Sequence, residues 1–456
     1  MVILVIDVTK GIQTQTAEGI IIAELVTPHL VVLLNKVDLL APSDRATRLS
    51  LLKTRLSKTL SNTSFSKIDF VDFAAKPSKS GESVLGLEEL RETLSKIPIP
   101  KRLQVDNTPF LMSVDHCFTI KGQGSVATGT LLRGTLQLNQ VVELVGHYST
   151  HKIKSMEVFK QRVKQVKQGE RVGVLLPTLD ASLLERGLLA HPGSVSFANG
   201  LVVTLTKIRY YKGEIESGMK IHISIGHSTC LAKVLLFDHP ELSTHTEAFS
   251  SSSSSEKRQP KEWAPEAEYA FVKELDPNQS RCFALLQLEK ELAVPVESIY
   301  IASKLDADIN TPSCRLAFHG KILAAFPSPS TDSHIPAASS TSSSSNQREN
   351  PYATQTSELK QVALSDLKIV TTKQREGAID RIVDEYVLIG RNLFKKETKM
   401  ALFIGLSVTV DGKTGVIDSS FGSSGKFKVR FQSPVAKTIP TSAPVILTLK
   451  KSKFAK

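Results

Sequence analysis

The sequence has few cysteines, and their spacing excludes two kinds of small domain. The 456 residues contain four cysteines, which stand far apart without a C-x-x-C pair: Cys117, Cys230, Cys282 and Cys314. Structural zinc sites and disulfide frameworks need closely spaced or numerous cysteines, so we expect neither. Isolated free thiols are typical of a reducing compartment, and we expect a cytoplasmic protein.

Long hydrophobic runs are also absent. No segment reaches the roughly 18 apolar residues that a membrane-spanning helix requires. The start of the chain, MVILVIDV, has no basic segment, and Asp7 interrupts its apolar run before it reaches the length of a signal peptide. The sequence therefore predicts a soluble protein without a membrane partner.

The chain also lacks the motifs of phosphate chemistry. A G-x-x-x-x-G-K-[ST] loop cradles phosphates with its backbone amides, and its hydroxyl group holds Mg²⁺. Gly81 and Gly86 have the glycine spacing, but Leu87 and Glu88 follow them, and the GSSGK segment at 422–426 is more typical of a hairpin. No D-x-x-G metal loop is present either. Three further glycines are interpreted as turn residues between two strands: Gly122, Gly124 and Gly129.

What the chain does contain is an excess of positive charge near its end. The formal net charge is +12, and residues 361–456 hold 17 Lys or Arg against 8 Asp or Glu. A basic module of this kind favours a polyanionic partner, most simply nucleic acid. A charged surface that only keeps the protein soluble is the alternative.

Residues 1–100 alternate strand and helix patterns, which predicts part of a parallel α/β domain. The strands are expected at Val2–Ile6, Leu30–Leu34 and Ile68–Phe73, and the helices at Gln15–Leu25, Asp44–Leu60 and Leu87–Lys96. Parallel sheets are usually larger than three strands, so we expect further strands before Met1.

After residue 100 the pattern changes to short strands separated by glycine turns, which predicts all-β domains. We expect two β-barrels, at residues 101–192 and 193–326, the second with a serine-rich insertion near 243–262. Residues 327–360 form a Ser/Pro-rich linker, and residues 361–456 form a basic, β-barrel-like fourth domain. Its strands are expected at Lys368–Thr372, Val387–Leu393, Met400–Val410 and Lys426–Phe431.

The stretch VVLLNKVDLL contains the clearest candidate site. Its apolar residues predict a buried strand, and an N-K-x-D pattern follows at the strand end, where ligands bind in open α/β sheets. The Asp38 carboxylate can accept both N–H groups of the guanine edge, a donor pair that adenine lacks. Asn35 would tie the neighbouring loops to the base, and the Lys36 stem would lie along the flat face of the base. An ordinary strand-end turn is the alternative.

A second loop would hold the base from its other side. Ala74, Ala75 and Lys76 follow the strand at 68–73 and resemble the S-A-K loop of GTP-binding proteins, with alanine at the usual serine position. The backbone N–H of Ala75 would meet the guanine oxygen.

Longer motifs resemble those of a known family. VIDVTKGIQTQTAE, NKVD and AAK, followed by two barrels, resemble translational GTPases of the elongation factor Tu type. The closer resemblance is to eukaryotic selenocysteine-specific elongation factors. It rests on these segments, which span all four modules: VDHCFTIKGQGS, LERGLL, IHISIGHST, SKLDADINTPSCRLAFHG, IGRNLFKKET and GVIDSSFGSSGKFK.

The resemblance implies a GTPase that binds GTP or GDP with Mg²⁺ and delivers selenocysteyl-tRNA to the ribosome at recoded UGA codons. It also implies a protein that binds the selenocysteine insertion element, together with that mRNA element, as partners, and we expect a monomer. The phosphate loop, the D-x-x-G loop and the Mg²⁺ ligands of the family would precede Met1. None of the catalytic residues is therefore expected within this chain.

The resemblance also implies a selenocysteine pocket. Asp115, His116 and Arg186 match the positions that the family uses. A selenol is anionic at neutral pH, so His116 and Arg186 would donate to it, while Asp115 would orient His116 and hold it protonated. A histidine satisfied within the barrel core is the alternative for His116.

The basic fourth domain would contact RNA backbone. Six cations are the candidates: Lys395, Lys396, Lys399, Lys426, Lys428 and Arg430, with Lys450, Lys451, Lys453 and Lys456 near the end of the chain. Lysines that only guard a strand edge are the alternative. Two other functions stay open: a non-hydrolysing RNA-binding protein derived from this family, and a GTPase of the initiation factor type.

Overall fold

The computed structural model begins with a parallel sheet. It describes these residues: 1–76, 84–98, 108–147, 149–239, 262–276, 281–295, 298–306, 314–327, 360–395, 398–422, 425–434 and 438–453. Domain 1 has three parallel strands in the order β1 (Val2–Asp7), β2 (His29–Asn35) and β3 (Lys67–Phe73). Its helices are α1 (Thr14–Val26), α2 (Arg45–Leu60) and α3 (Leu87–Ser95). The predicted elements of this domain are confirmed to within one residue at each end.

Domain 1 is held together by the two buried faces of β2. Leu30, Val32 and Leu34 pack in one apolar cluster with side chains of α1 and α2. Val31 and Leu33 belong to a second cluster, which α3 covers. Alternate side chains of a strand point to opposite faces, so a continuous apolar run is what a strand between two helix layers requires.

Domain 2 consists of ten strands: β4 (Leu111–Ile120), β5 (Gly124–Arg133), β6 (Thr135–Gln137), β7 (Val141–Leu144), β8 (Ser149–Lys152), β9 (Ser155–Val158), β10 (Gln161–Val163), β11 (Gln165–Lys167), β12 (Arg171–Leu176) and β13 (Gly187–Ala190). Eight of them form one sheet in the order β10-β9-β12-β5-β4-β13-β7-β8, and β6 pairs with β11. The sheet curves around one apolar core, to which Met112, Leu131 and Val174 belong.

Domain 3 has seven strands: β14 (Ser196–Lys207), β15 (Lys220–Ile225), β16 (Ser228–Asp238), β17 (Glu268–Val272), β18 (Arg281–Val294), β19 (Ile299–Ser303) and β20 (Leu316–Pro327). Six of them close into a ring, β14-β18-β16-β15-β19-β20, because β15 pairs with both β16 and β19 and β20 returns to β14. The ring is filled by apolar side chains such as Leu205, Tyr300 and Phe318.

Domain 4 also has seven strands: β21 (Lys360–Gln361), β22 (Lys368–Ile382), β23 (Val387–Arg391), β24 (Ser407–Val410), β25 (Lys413–Phe421), β26 (Lys426–Phe431) and β27 (Pro444–Ser452). The last six form a second ring, β22-β23-β26-β25-β24-β27, which closes through the β22–β27 pairing. Short 3₁₀ turns cover Val37–Leu39, Ala181–Leu183, Leu364–Asp366 and Met400–Leu402. The predicted fold class, a parallel α/β domain followed by β-barrels, is confirmed.

The two rings are joined in one continuous sheet, which the sequence analysis did not predict. Residues 268–270 of β17 pair in parallel with residues 368–370 of β22. An apolar cluster around Phe237, Tyr269 and Ile369 spans the junction. On its surface, the Lys453 ammonium lies 3.8 Å from the centroid of the Phe271 ring.

Domain 1 contacts domain 3 through α1. Arg315 donates to both carboxylate oxygens of Glu18 at 2.9 and 2.8 Å, and both side chains are less than one-fifth exposed. One turn further along the helix, Ile21 packs in a small apolar cluster with Ile208 and Leu316. Glu18 and Ile21 are three residues apart and lie on one helix face of α1, and Arg209 of domain 3 adds a hydrogen bond to the carbonyl of Asn62 after α2.

Two sequence predictions in the β domains were wrong. Met400–Val410 is not one strand, because a 3₁₀ turn at Met400–Leu402 precedes β24 and exposes Leu402 by 75%. Gly129 is not a turn residue but lies within β5, as the next subsection explains. Gly122 and Gly124 do lie at the β4–β5 turn, and β25 pairs antiparallel with β26 through Phe421 and Lys426, as a hairpin there predicts.

Parts of the sequence predictions lie outside the described residues. These are the serine-rich insertion apart from Glu262, the linker apart from its two end residues, and Lys396 and Lys456. None of the helices in the described ranges has the length and hydropathy that crossing a membrane would need.

The fold predicts that Gly129 tolerates no side chain. A Cβ atom there would lie 2.0 Å from the Ser113 carbonyl oxygen, a backbone atom that cannot move aside cheaply. We expect Gly129→Ala to lower the free energy of unfolding by about 1–3 kcal/mol. A urea titration with protease cleavage inside domain 2 as the readout measures this.

Gly173→Ala is the matched control. Gly173 lies on the other neighbour of β5, and its added Cβ would meet nothing closer than Val126 Cγ1 at 3.7 Å. We expect its stability to stay within about 1 kcal/mol of the wild type. Equal stability of the two variants would contradict the close approach of Gly129 to the Ser113 carbonyl oxygen.

Candidate functional site

The guanine-recognition candidates lie together at one edge of the domain 1 sheet. Asn35 ends β2 in register with Asp7 at the end of β1 and with Phe73 at the end of β3. Parallel strands present their carboxyl ends at the same edge, so the loops after β2 and β3 become neighbours. The structure thus brings 35–38 and 74–76 to one place.

Asn35 joins these two loops to each other. Its side-chain oxygen accepts a hydrogen bond from the backbone N–H of Ala75 at 3.2 Å. The same N–H was expected to meet a guanine oxygen, so here the Asn35 amide occupies that donor instead. Ala74 is buried in the domain core, whereas Ala75 and Lys76 are exposed at the loop surface.

Lys36 has a more specific role than the sequence predicted. Its backbone is left-handed, with φ of 68°, and its ammonium donates to Asp7 Oδ2 at 2.7 Å. This hydrogen bond, helped by Thr9, holds the pKa of the Asp7 carboxyl well below its usual range. The lysine stem therefore crosses from the end of β2 to the end of β1.

Asp38 is held at the surface by its neighbours. The preceding Val37 is buried in the domain core, while Asp38 itself is partly exposed. Arg45, at the start of α2, donates to the backbone carbonyls of Asp38 and Leu40 at 3.5 and 3.3 Å. Asp38 and the Lys36 stem therefore lie in the same loop at the carboxyl edge of the sheet.

A divalent cation has no comparable site. Among the described residues, no three His, Cys, Asp or Glu side chains are grouped closely enough to hold a metal ion. We therefore assign no step to Mg²⁺ in this part of the molecule.

The second candidate site rests on a β-bulge in β4. Val114 pairs with Gly129 and His116 pairs with Thr128, so Asp115 is an extra residue on its strand. Val114 and Cys117 both face the domain 2 core, and the bulge lets Asp115 and His116 both lie on the outer side between them. Gly129 stands opposite the bulge. A side chain there would collide with the Ser113 carbonyl oxygen, which explains why a glycine occupies this position of β5.

Asp115 does not orient His116, contrary to the sequence prediction. Its carboxylate forms an ion pair with Arg171 and accepts a hydrogen bond from Thr128 Oγ1 at 3.0 Å. The Arg171 guanidinium, with Thr128 adding to it, keeps the pKa of Asp115 below its usual value. The bulge is the physical reason, because it turns Asp115 across β5 towards β12 and leaves His116 tilted against the Phe118 ring.

Arg186 lies near this bulge. It immediately precedes β13, whose first residue, Gly187, pairs with Val114. The next position along this register is level with Asp115, so the backbone brings the start of β13 beside Asp115 and His116 in the middle of β4. His116 and Arg186 are both exposed.

Sequence reasoning missed two participants at this site. One is Arg171, the partner of Asp115. The other is His227, whose Nε2 lies 2.8 Å from Ser113 Oγ and links the β15–β16 turn of domain 3 to β4. The segment IHISIGHST contains His227 and is one of the segments on which the family resemblance rests. Nothing in its sequence indicated a contact with domain 2.

The cations of domain 4 are partly paired. Lys426, Lys428 and Arg430 alternate along β26 and share its outer face, as predicted. Lys426 lies 2.8 Å from Asp380 and Arg430 lies 3.1 Å from Asp418, while the Lys428 ammonium lies 5.8 Å from the Phe421 ring centroid. Lys395 and Lys399 are exposed, Lys450 pairs with Glu268, and Lys451 and Lys453 are exposed along and beyond β27.

Comparisons with known proteins give matches along the chain. Residues 1–133 match the elongation factor Tu GTP-binding domain, and residues 124–187 match elongation factor Tu domain 2. Residues 202–320 match the third domain of eukaryotic selenocysteine-specific elongation factors, and residues 365–455 match the C-terminal RIFT domain of the same factors. The mouse selenocysteine-specific elongation factor is 37% identical over 99% of this chain and 76% of its own. The chain belongs to the selenocysteine-specific elongation factor family.

Solved structures show the same fold. Translation elongation factor SelB from Methanococcus maripaludis matches 99% of this chain in its apo form, with a TM-score of 0.61 at 20% identity over 83% of that chain. Its complex with the GTP analogue GppNHp matches with a TM-score of 0.64 at 20% identity over 84% of that chain. These matches are to selenocysteine-specific factors and elongation factor domains. They give no support to the alternative that the chain is a GTPase of the initiation factor type.

The geometry predicts how Asp38→Asn changes base selectivity. Asparagine replaces one acceptor oxygen by a donor, which would face a guanine N–H and leave both unpaired. We expect GDP binding to weaken by about 10- to 100-fold. Xanthosine diphosphate should gain, because its extra oxygen accepts from the new amide. Titrations with fluorescent derivatives of both nucleotides measure the ratio.

Asp411→Asn serves as the matched control. Asp411 is exposed in a left-handed turn of domain 4, a conformation that asparagine adopts equally well. Its nucleotide ratio should stay at the wild-type value. An unchanged GDP affinity in Asp38→Asn would remove this carboxylate from the base site.

Proposed function

We propose that this chain binds GTP and GDP through the 35–38 and 74–76 loops and carries selenocysteyl-tRNA to the ribosome at recoded UGA codons. The observation that carries the proposal is the bulge in β4, which sets the exposed His116 side chain beside the anchored carboxylate of Asp115, with Arg186 next to them just before β13. Family membership supports the same function. GTP hydrolysis is proposed for this chain on family grounds alone.

The chemistry of the cargo explains the residues of the proposed pocket. A selenol loses its proton more readily than a thiol, so selenocysteine is anionic at neutral pH and serine is neutral. Hydrogen bonds to a charged acceptor are about twice as strong as neutral ones. His116 and Arg186 can donate such bonds, which would favour selenocysteyl-tRNA over its seryl precursor.

Arg171 has a supporting part in this pocket. By pairing with Asp115, it keeps that carboxylate from neutralising the guanidinium of Arg186 at the neighbouring strand end. The pocket then presents an excess of positive charge to the aminoacyl group, although a carboxylate lies within it.

Domain 4 would bind RNA through its outer cations, Lys395, Lys396, Lys399, Lys426, Lys428 and Arg430. Contacts of this kind give affinity and salt dependence rather than sequence choice. We further propose a monomer in the cytoplasm, with the selenocysteine insertion element and the protein that binds it as partners. Mg²⁺ would accompany the nucleotide.

The pocket predicts a loss of cargo discrimination in two variants. His116→Ala and Arg186→Ala should each lower the preference for selenocysteyl-tRNA over seryl-tRNA by about 10- to 100-fold, because each removes a hydrogen bond to a charged group. Competition binding with the two tRNAs measures this preference. Arg55→Ala, at an exposed position of α2 in domain 1, is the control. Wild-type discrimination in both pocket variants would refute the pocket.

The role of Arg171 predicts a paired effect. Arg171→Gln frees the Asp115 carboxylate to pair with Arg186, so discrimination should fall about 5- to 10-fold, as expected when one surface charge pair is exchanged for another. Adding Asp115→Asn removes the freed charge and should restore most of the preference. If the double variant is as poor as the single one, Arg171 acts in some way other than through Asp115.

A further inference from the structure

The outer face of helix α2 carries side chains that do not contribute to the core. Leu49, Leu56 and Leu60 of this helix pack into domain 1. Spacings of three, four and three residues place four other side chains in one stripe on the opposite side, about 15 Å long. We call these exposed residues the outer stripe of α2: Arg48, Leu51, Arg55 and Lys58.

The charge of α2 is of one sign. Its 16 residues include five Lys or Arg and no Asp or Glu, although Asp44 precedes the helix. Two of the cations have partners within domain 1, since Lys53 pairs with Asp72 and Arg45 donates to backbone carbonyls. The three cations of the outer stripe form no ion pair with any residue that the structure describes. Their charge is therefore available to a partner outside the domain.

Helix stability does not explain the composition of the outer stripe. The helix dipole favours acidic side chains near the N-terminus, yet Arg48 lies in the first turn of α2. Arg55 and Lys58 are three residues apart on the helix, where like charges repel each other. Solubility does not explain the stripe either, because Leu51 lies between the cations and is 56% exposed. The stripe is an apolar contact point surrounded by positive charge.

This chemistry favours an acidic polypeptide over RNA or a membrane. An exposed leucine is stabilised when an apolar side chain covers it, and the surrounding cations can pair with carboxylates. Unpaired bases stack mainly on aromatic rings, and α2 contains none. A lipid surface requires an apolar helix face, and that face of α2 is already buried in the core of domain 1.

We propose that the outer stripe of α2 docks an acidic helical segment of another protein, with an apolar side chain of that segment on Leu51 and its carboxylates on the three cations. An amphipathic helix presents apolar residues every three or four positions, which matches the spacing of the stripe. None of the four residues belongs to the base loops, the bulge in β4 or domain 4. The inference therefore goes beyond the proposed function and does not depend on it.

Fluorescence anisotropy with the full chain tests this inference. The probe is a labelled peptide with leucine at every third or fourth position and Asp or Glu at the others. A second peptide keeps the acidic residues and has serine in place of each leucine, and we expect it to bind at least about 10-fold more weakly. Added salt should weaken the binding of the leucine peptide, because salt screens exposed charge pairs.

Two variants separate the apolar and the charged parts of the stripe. Leu51→Gln retains a good helix former and should weaken binding of the leucine peptide by about 10-fold, without changing binding of the serine peptide. Arg48→Gln combined with Arg55→Gln and Lys58→Gln should weaken binding of both peptides by about 5- to 100-fold, because three charge pairs are lost.

Matched controls remove the same kinds of side chain from other exposed positions. Leu402→Gln replaces an exposed leucine of domain 4. Lys233→Gln combined with Lys290→Gln and Lys304→Gln removes three exposed cations from domain 3. Both controls should bind the leucine peptide like the wild type, since neither changes α2.

Three outcomes would overturn the inference. The first is equal binding of the leucine and serine peptides to the wild type, and the second is wild-type affinity for the leucine peptide in either α2 variant. The third is tighter binding of an oligouridine RNA of equal charge than of the leucine peptide, which would assign the stripe to nucleic acid. Selenocysteyl-tRNA takes no part in these measurements, so a failure of the proposed function would not change them.

Discussion

The ion pair between Glu18 and Arg315 fixes the base-recognition domain against the barrels. Two-pronged arginine–carboxylate geometry is directional, and neither partner is more than one-fifth exposed, so the pair specifies an orientation more than it adds stability. Removing one partner would leave a charge uncompensated at an interface that is otherwise apolar around Ile21. Lys36 of the base loop donates to Asp7 at the end of β1, and α1 follows β1 in the chain. One short segment therefore connects the base loop with domain 3.

Two further contacts extend this constraint to the rest of the chain. His227 links domain 3 to β4 beside the bulge, and the β17–β22 pairing joins domain 3 to domain 4. Domain 3 thus contacts each of the other three domains. Its closed ring has few ways to deform, so the base loop, the proposed aminoacyl pocket and the cationic surface are held by one rigid body.

Local sequence patterns predicted the helices and strands, whereas contacts between residues far apart in the chain could not be predicted from them. Lys426–Phe431 was predicted with its observed bounds and the strands of domain 1 to within one residue, because alternating or continuous apolar residues mark a strand directly. The region from Met400 to Val410 misled the same reasoning, since its apolar residues are partly exposed in a 3₁₀ turn.

The candidate site shows the same division. The loops after β2 and β3 lie side by side, as the order of strands in a parallel sheet indicates, but the hydrogen bond that Asn35 makes between them was not predicted. The partner of Asp115 could not be predicted, because one extra residue in β4 decides which way the carboxylate turns. A bulge has no sequence signature of its own here, and Gly129 opposite it looked like an ordinary turn glycine.

Part of the positive charge of domain 4 is already paired with carboxylates, which the composition of the domain does not reveal. Lys426 and Arg430 already have carboxylate partners, and Lys450 pairs across the junction with Glu268. Exposed pairs of this kind contribute about 0–1 kcal/mol each, so a phosphate can displace the carboxylate at little cost. The pairs therefore hold the cations extended along β26 without blocking them. Each phosphate contact would then also release a carboxylate to the solvent, so RNA affinity should depend on salt less steeply than a count of lysines implies.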